Sequence, residues 1–261
     1  MKIIISILVL VFVNCNCLLS GDGQSTGKRN FKSIIFLTVG VPYSSGSHDF
    51  FSVYNNELSG KKKDFKLSTI IGAGTKIRFE APVRYGIQTL LLQSSLQDAY
   101  DETVETPEQS GARYISQTIN IRDIPIIFTL EYMPYVTQFR TYIGGGIGFL
   151  MRRMEWLETV RSNIQLDKRT GGTHYDATDY YPFIKIYSGV ELGFDKMSDE
   201  NLLGSLVLEA SYNYAAGSSD VFGSVKRQFV PQEPRLNQNY NLLPGYIVLS
   251  LSVTLNFNRN S

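Results

Sequence analysis

From Gly245 to Phe257 the chain alternates strictly. Gly245, Ile247, Leu249, Leu251, Val253, Leu255 and Phe257 fall on one face, and Tyr246, Val248, Ser250, Ser252, Thr254 and Asn256 on the other. Successive side chains of a strand point to opposite faces, so the pattern predicts one apolar wall and one mostly polar wall. Strands of soluble sheets average about five or six residues. A tilted strand that crosses a bilayer needs about nine to eleven. The segment therefore predicts a membrane-spanning strand.

The same kind of pattern recurs along the chain. Strand-like segments cover roughly 31–41, 66–80, 83–95, 114–132, 137–156, 179–194, 204–217 and 243–257. The connections at 42–65, 96–113, 157–178 and 218–242 are long and polar. Those at Ala81–Pro82, Met133–Val136 and Asp195–Leu203 are short. Long and short alternate without exception. That predicts an all-β fold: an eight-stranded antiparallel up-and-down transmembrane β-barrel, with long outer loops and short inner turns.

Most segments sort cleanly into an outward apolar face and an inward polar one. In 137–156 the outward set is Phe139, Thr141, Ile143, Gly145, Ile147, Phe149 and Met151, opposite Arg140, Tyr142, Gly144, Gly146, Gly148 and Arg152. In 179–194 Tyr180, Pro182, Ile184, Ile186, Val190, Leu192 and Phe194 oppose Asp179, Lys185, Tyr187, Glu191 and Asp195. Segment 114–132 is less tidy. Ile115, Ile119 and Ile121 hold one phase, and Ile124, Ile126, Phe128 and Leu130 the other, which predicts a β-bulge near Arg122–Pro125. The register of 31–41 is ambiguous.

Eight strands enclose a space that side chains can fill. The inward charges would be Lys76, Arg78, Arg84, Arg122, Arg140 and Lys185 against Glu80, Glu131, Glu191 and Glu209. Buried charges need partners, so the mixed signs predict an ion-pair core. A polar plug is the first reading and a narrow, slightly cationic path the second. The inward glycines of 137–156 suggest a groove with Tyr187 across it, at Gly146. Trp156, Tyr180 and Tyr181 would mark an outer aromatic girdle, with Tyr132 and Phe194 on the inner one.

The N-terminus changes the setting. Met1-Lys2 followed by the apolar run Ile3–Val13 reads as an export signal, too short to span a bilayer as a helix. The expected organisation is a signal peptide at 1–20, a flexible segment at 21–30 and the barrel at 31–257. Cys15 and Cys17, the only cysteines, lie at the end of that signal, so disulfides do not hold the fold, and lipidation at either is an open alternative. A formal net charge of +1 argues against a nucleic-acid partner.

The run Ile124-Pro125-Ile126-Ile127-Phe128-Thr129-Leu130-Glu131-Tyr132, a short turn, then Tyr142-Ile143-Gly144-Gly145-Gly146-Ile147-Gly148-Phe149-Leu150 resembles the bacterial outer membrane protein β-barrel families. These include the PorT-like barrels and the OmpA/OmpX-like small barrels. Tyr187–Phe194 and Leu208–Tyr214 continue the resemblance. It implies an integral protein of the bacterial outer membrane, with membrane lipid and the barrel assembly machinery as partners. The machinery would read the closing strand Leu251–Phe257, although Asn258–Ser261 follow it here.

The expected role is structural or interactive, through the outer loops, with an extracellular or envelope protein as partner. A narrow channel or transport-accessory barrel is the alternative. A lipid-modifying enzyme or a soluble lipocalin-like binder stands behind both. His48, among Ser44, Ser45, Ser47 and Asp49, and His174, near Asp176 and Asp179, are the two histidines a catalytic base could come from. Loops rich in Ser and Asp assemble such neighbours by chance, so no catalytic, cofactor or metal residue is assigned. Lys61-Lys62-Lys63 reads as a solvated cap or a contact to anionic head groups.

Overall fold

The computed structural model describes residues 31–44, 47–56, 60–78, 82–105, 110–134, 139–163, 174–194, 202–218 and 240–259. The elements are β1 (Phe31–Ser44), α1 (His48–Asn56), β2 (Lys66–Leu67), β3 (Ile70–Arg78), β4 (Val83–Glu105), β5 (Ser110–Tyr132), β6 (Phe139–Ser162), β7 (His174–Gly193), β8 (Leu202–Ala215) and β9 (Gly245–Arg259). The expected signal, the segment 21–30, both cysteines, Ser45, Glu80 and Asp195 lie outside the described residues. So does the side chain of Phe257.

All pairings are antiparallel: β1 pairs with β3, and from β3 each strand pairs with the next up to β9, which pairs back to β1. β2 and β3 share one stave against β4, so the ring has eight staves. Pairings followed once around the ring run Ile126, Thr89, Ala73, Leu37, Val253, Leu206, Leu192, Phe139. Phe139 lies below the Ile143–Tyr132 pair, so the circuit closes about ten residues from its start. That stagger is what tilts the strands and closes the sheet.

The alternation in β5 does not flip. Odd residues from Ile115 to Met133 are buried and even ones face out, in one unbroken register against β6. The bulge expected near Arg122–Pro125 is therefore absent. The apolar residues change sides because the surroundings change. Outward-facing Ile124, Ile126, Phe128 and Leu130 belong to an apolar belt, whereas Ile115, Ile119 and Ile121 point inward above it. A one-residue offset does occur elsewhere: Lys66 and Leu67 pair with Ser95 and Ser94, but Ile71 pairs with Leu91, leaving an extra residue at Ser68–Thr69.

The belt runs round the whole ring. It includes Leu37 at 63% exposure and Ile147 at 69%, with Ile71, Tyr85, Phe128, Ile184, Leu208 and Leu251 among the other exposed members. In β9 it spans Ile247 to Leu255, roughly the nine residues that a tilted strand needs to cross hydrocarbon. On β4, β5 and β6 it ends at one level. The outward row Leu91, Ile124, Met151 is the last apolar one, and Gln93, Arg122 and Arg153, paired across the strands, form the next.

Above that row β4, β5, β6 and β7 continue. They reach 23, 23, 24 and 20 residues, against 14 for β1 and β8. Much of what the sequence presents as the loops 96–113 and 157–178 is therefore strand. The expected loop 42–65 contains α1, whose Phe50, Phe51, Val53 and Tyr54 are all buried. Ile147→Arg, which places a cation in the belt, should destabilise the folded barrel in lipid vesicles by about 2–4 kcal/mol. Ser116→Arg, outward on the upper sheet, should stay within about 0.5 kcal/mol. Denaturant titration of both variants checks the contrast.

Candidate functional site

The lumen is filled in three storeys. At the bottom four cations meet three carboxylates. Lys76 Nζ lies 2.5 Å from Glu131 Oε1, and Arg84 Nε 2.8 Å from Glu131 Oε2, close enough to pair although not aligned as a hydrogen bond. Arg84 Nη1 donates to Glu191 Oε2 at 2.5 Å, Arg140 Nη1 reaches Glu191 Oε1 at 3.4 Å, and Lys185 Nζ lies 2.7 Å from Glu209 Oε1. Ser205 Oγ also donates to Glu191.

Two tyrosines complete this network, and glycines give them room. Tyr142 pairs across the strands with Gly189, and Tyr187 with Gly144. A Cβ on Gly144 would stand 2.5 Å from Tyr187 Cζ, and one on Gly189 would meet the Tyr142 hydroxyl. Each ring thus lies flat over its glycine and carries its hydroxyl across the lumen. Tyr142 donates to Glu209 at 2.9 Å and Tyr187 to Glu131 at 3.0 Å. The groove expected beneath Tyr187 exists, but at Gly144. A Cβ on Gly146 meets Ile127 and the Phe128 carbonyl instead.

The middle storey is apolar: Ile70, Leu90, Leu92, Ile127, Leu150, Tyr181, Phe183, Tyr246 and Val248. The void between it and the charges measures about 20 Å³, room for about one water. Above it sits a third layer that closes the mouth. Phe50, Phe51 and Tyr54 of α1, with Phe65, pack against Leu96, Ile119, Ile121, Met154 and Trp156 from the wall and Tyr240, Leu242 and Leu243 from the segment before β9.

Three polar residues, Asp98, Ser47 and Arg152, fasten this lid. Asp98 Oδ2, buried, accepts from Tyr54 Oη at 3.0 Å and from the amides of Lys61 and Lys62 at 2.7 and 3.2 Å. Burial, then the neighbouring Asp98, pushes the Tyr54 phenol above its usual range, so it stays a donor. Ser47 Oγ donates to the Leu242 carbonyl. Arg152 binds Asp123 through two bonds of 2.8 and 2.7 Å and donates to the Leu243 carbonyl at 3.1 Å.

The sequence-level assignments fare unevenly. Lys76, Arg84, Arg140, Lys185, Glu131, Glu191 and Glu209 come together as expected, and Arg78 is half-buried on the same side. Arg122 does not. It is exposed on the outer face, because the expected bulge that turned it inward is absent. Trp156 and Tyr181 are buried inside the barrel rather than in a girdle, while Tyr180, Tyr132 and Phe194 are exposed as expected. Asp98 and Asp123 were missed. Their signal was a carboxylate on the inward phase, Asp123 standing one strand from Arg152.

His48 opens α1 and is exposed, and the hydroxyl of neighbouring Ser47 is committed to Leu242. His174 opens β7, where its Nε2 lies 3.5 Å from Glu155 Oε1 on the solvent face. The two stand on separate elements with no contact between them among the described residues. Lys61, Lys62 and Lys63 are exposed.

No protein-family model matches the chain, and no curated protein matches it. Solved structures do. Neisserial surface protein A aligns with a TM-score of 0.40 and 12% identity over 86% of this chain and 96% of that one. Ail, the attachment invasion locus protein of Yersinia pestis, aligns at 0.37 and 10%, over 88% and 99%. The outer membrane protein OprG from Pseudomonas aeruginosa aligns at 0.33 and 12%, over 92% and 100%. The barrel assignment rests on the strand pairings themselves.

Glu131→Ala leaves Lys76 and Arg84 buried without that carboxylate, and should cost about 3–5 kcal/mol of barrel stability. Tyr54→Phe removes one donor to Asp98 and should cost about 1.5–3 kcal/mol, felt in the lid. Denaturant titration reads the first. Amide exchange in residues 47–56, faster in the variant while the belt stays protected, reads the second.

Proposed function

We propose that the chain is an integral protein of a Gram-negative-type bacterial outer membrane. In this reading it is a non-conducting, non-catalytic barrel whose work is done by the sheet and loops it holds above the bilayer. The observation that carries the proposal is the exchange of faces at a single level. Below the row Gln93, Arg122, Arg153 the outward side chains are apolar, and the lumen holds ion pairs capped by an apolar layer; above it the outward side chains are mostly polar and the apolar ones mostly point in. A continuous exposed apolar belt has no place in water. A lipocalin-like barrel would carry its apolar face inward at every level, so the lower half argues against that reading.

The filled lumen weighs against the channel alternative. A path would have to cross paired charges, an apolar plug and the aromatic lid. The upper sheet, by contrast, rises well above the belt and holds the β4–β5 and β6–β7 connections at its outer end. Loops held by such a scaffold are where recognition resides. An extracellular or envelope protein is the partner class this favours, alongside outer-membrane lipid and the barrel assembly machinery reading β9. Export through the N-terminal signal, and kinship with the PorT-like and OmpA/OmpX-like barrels, belong to the same proposal.

Two measurements test it. Taken from the outer-membrane fraction, the protein should migrate differently on gels unboiled and boiled in detergent. A soluble, unshifted protein would overturn the membrane reading. Reconstituted into planar bilayers, it should give no reproducible unitary conductance, and a defined conductance would restore the channel alternative.

A further inference from the structure

The outer face of the barrel is indented just above the belt. A groove of about 510 Å³ lies across β2, β4, β5 and β6, with Lys66, Gln93, Asn120, Arg122, Arg153 and Glu155 in its lining. These residues are cross-strand neighbours. Gln93 pairs with Arg122 and Arg122 with Arg153; Lys66 pairs with Ser95, Ser95 with Asn120, and Asn120 with Glu155. The extra residue at Ser68–Thr69 breaks the β2–β3 stave at this level and brings Ser68 into the same lining.

The charges of the groove are unequally used. Arg153 is held by Asp176 through bonds of 3.1 and 2.7 Å, and Glu155 lies beside His174. Neither the Lys66 ammonium nor the Arg122 guanidinium has an ion-pair partner among the described residues. Two uncommitted cations, flanked by amide and hydroxyl donors, therefore face one groove. The row directly beneath is Leu91, Ile124 and Met151, with Ile71 beside Leu91, all on the outward apolar face. A molecule seated here would meet cations and hydrogen-bond donors above and hydrocarbon-facing side chains below.

We propose that this groove binds the anionic, phosphate-bearing headgroup of an outer-leaflet lipid, with Lys66 and Arg122 as the principal contacts. The lipid's chains lie on the apolar row beneath. Guanidinium and ammonium groups at a bilayer surface favour phosphate, and Arg122 can offer two parallel N–H donors. The inference rests on the membrane reading above, because depth in the bilayer is what selects a lipid over a soluble anion.

The test uses the full chain folded in dodecyl maltoside, with lipid retention read by native mass spectrometry. The probes are dimyristoyl phosphatidic acid and dimyristoyl phosphatidylcholine, identical in chains. The wild type should retain the acid at least about tenfold better, a margin that two surface cations can supply. Lys66→Gln with Arg122→Gln should remove most of that preference, and the exposed pair Lys62→Gln with Lys63→Gln should keep it. Inorganic phosphate at millimolar concentration should not compete.

Equal retention of the two lipids, or an unchanged preference in the Lys66/Arg122 variant, overturns the proposal. Full competition by inorganic phosphate also overturns it, because the site would then take a free anion. The gel shift on boiling, run on the same samples, separates two failures. A shift without lipid preference rejects the headgroup site alone, and no shift rejects the membrane reading beneath it.

Discussion

A strand in hydrocarbon has no water to bond to, so every amide and carbonyl in the belt must find its partner in another strand. The closing of β9 onto β1, from Phe31–Arg259 to Ser44–Tyr246, meets that demand and leaves no free edge at belt level. Much of the rest follows from it. Eight staves with this stagger make a cylinder too narrow to hold a water column, so its interior must be built from side chains. The alternation that puts apolar residues toward lipid sends polar ones inward. They are then buried, and a buried charge is tolerable only with a partner close by. The pairs around Glu131, Glu191 and Glu209 are the consequence of ring closure in a narrow barrel, and the Tyr–Gly pairs between β6 and β7 are how bulky donors fit among them.

Above the belt the constraint lapses and the same strands obey the opposite rule. Water now lies outside, so β4, β5 and β6 carry Gln93, Gln97, Asn120, Arg122 and Glu155 outward and Leu96, Ile119, Met154 and Trp156 inward. One face of that sheet needs covering, and α1 with the segment 240–243 covers it. The sheet's own carboxylates and guanidinium secure the cover: Asp98 grips Tyr54 of α1 and the Lys61 and Lys62 amides, and Arg152, fixed by Asp123, grips the Leu243 carbonyl.

The strand pattern was legible because period two survives any change of surroundings. Each of the eight expected segments contains a strand, and the inward list was correct for Lys76, Arg84, Lys185 and their carboxylates. What the sequence alone hid was the level at which inside and outside exchange hydrophobicity. An apolar residue marks the buried side in water and the exposed side in lipid, and β5 contains both. Reading one rule along its whole length turned a boundary into a bulge, sent Arg122 indoors and put Trp156 on a girdle. The helix α1 was missed for a related reason. Its apolar residues, Phe50, Phe51, Val53 and Tyr54, are too few to stand out in a segment of polar composition, and only the concave wall makes them a core.

That boundary has a consequence for where specificity can arise. The belt offers only apolar contact, which any lipid chain satisfies, and the lumen is occupied by its own pairs. Polar chemistry that can still meet a lipid is therefore found where the two rules meet. There an outward side chain no longer needs to be apolar, yet still stands beside the bilayer. Arg122 sits in that row, two residues from Ile124 in the belt and paired between Gln93 and Arg153. Moving it two residues down β5 would bury a cation in hydrocarbon, and moving it two up would lift it further into water. The position is set by the level at which the strand leaves the membrane, which gives the barrel's depth and its headgroup chemistry a common origin.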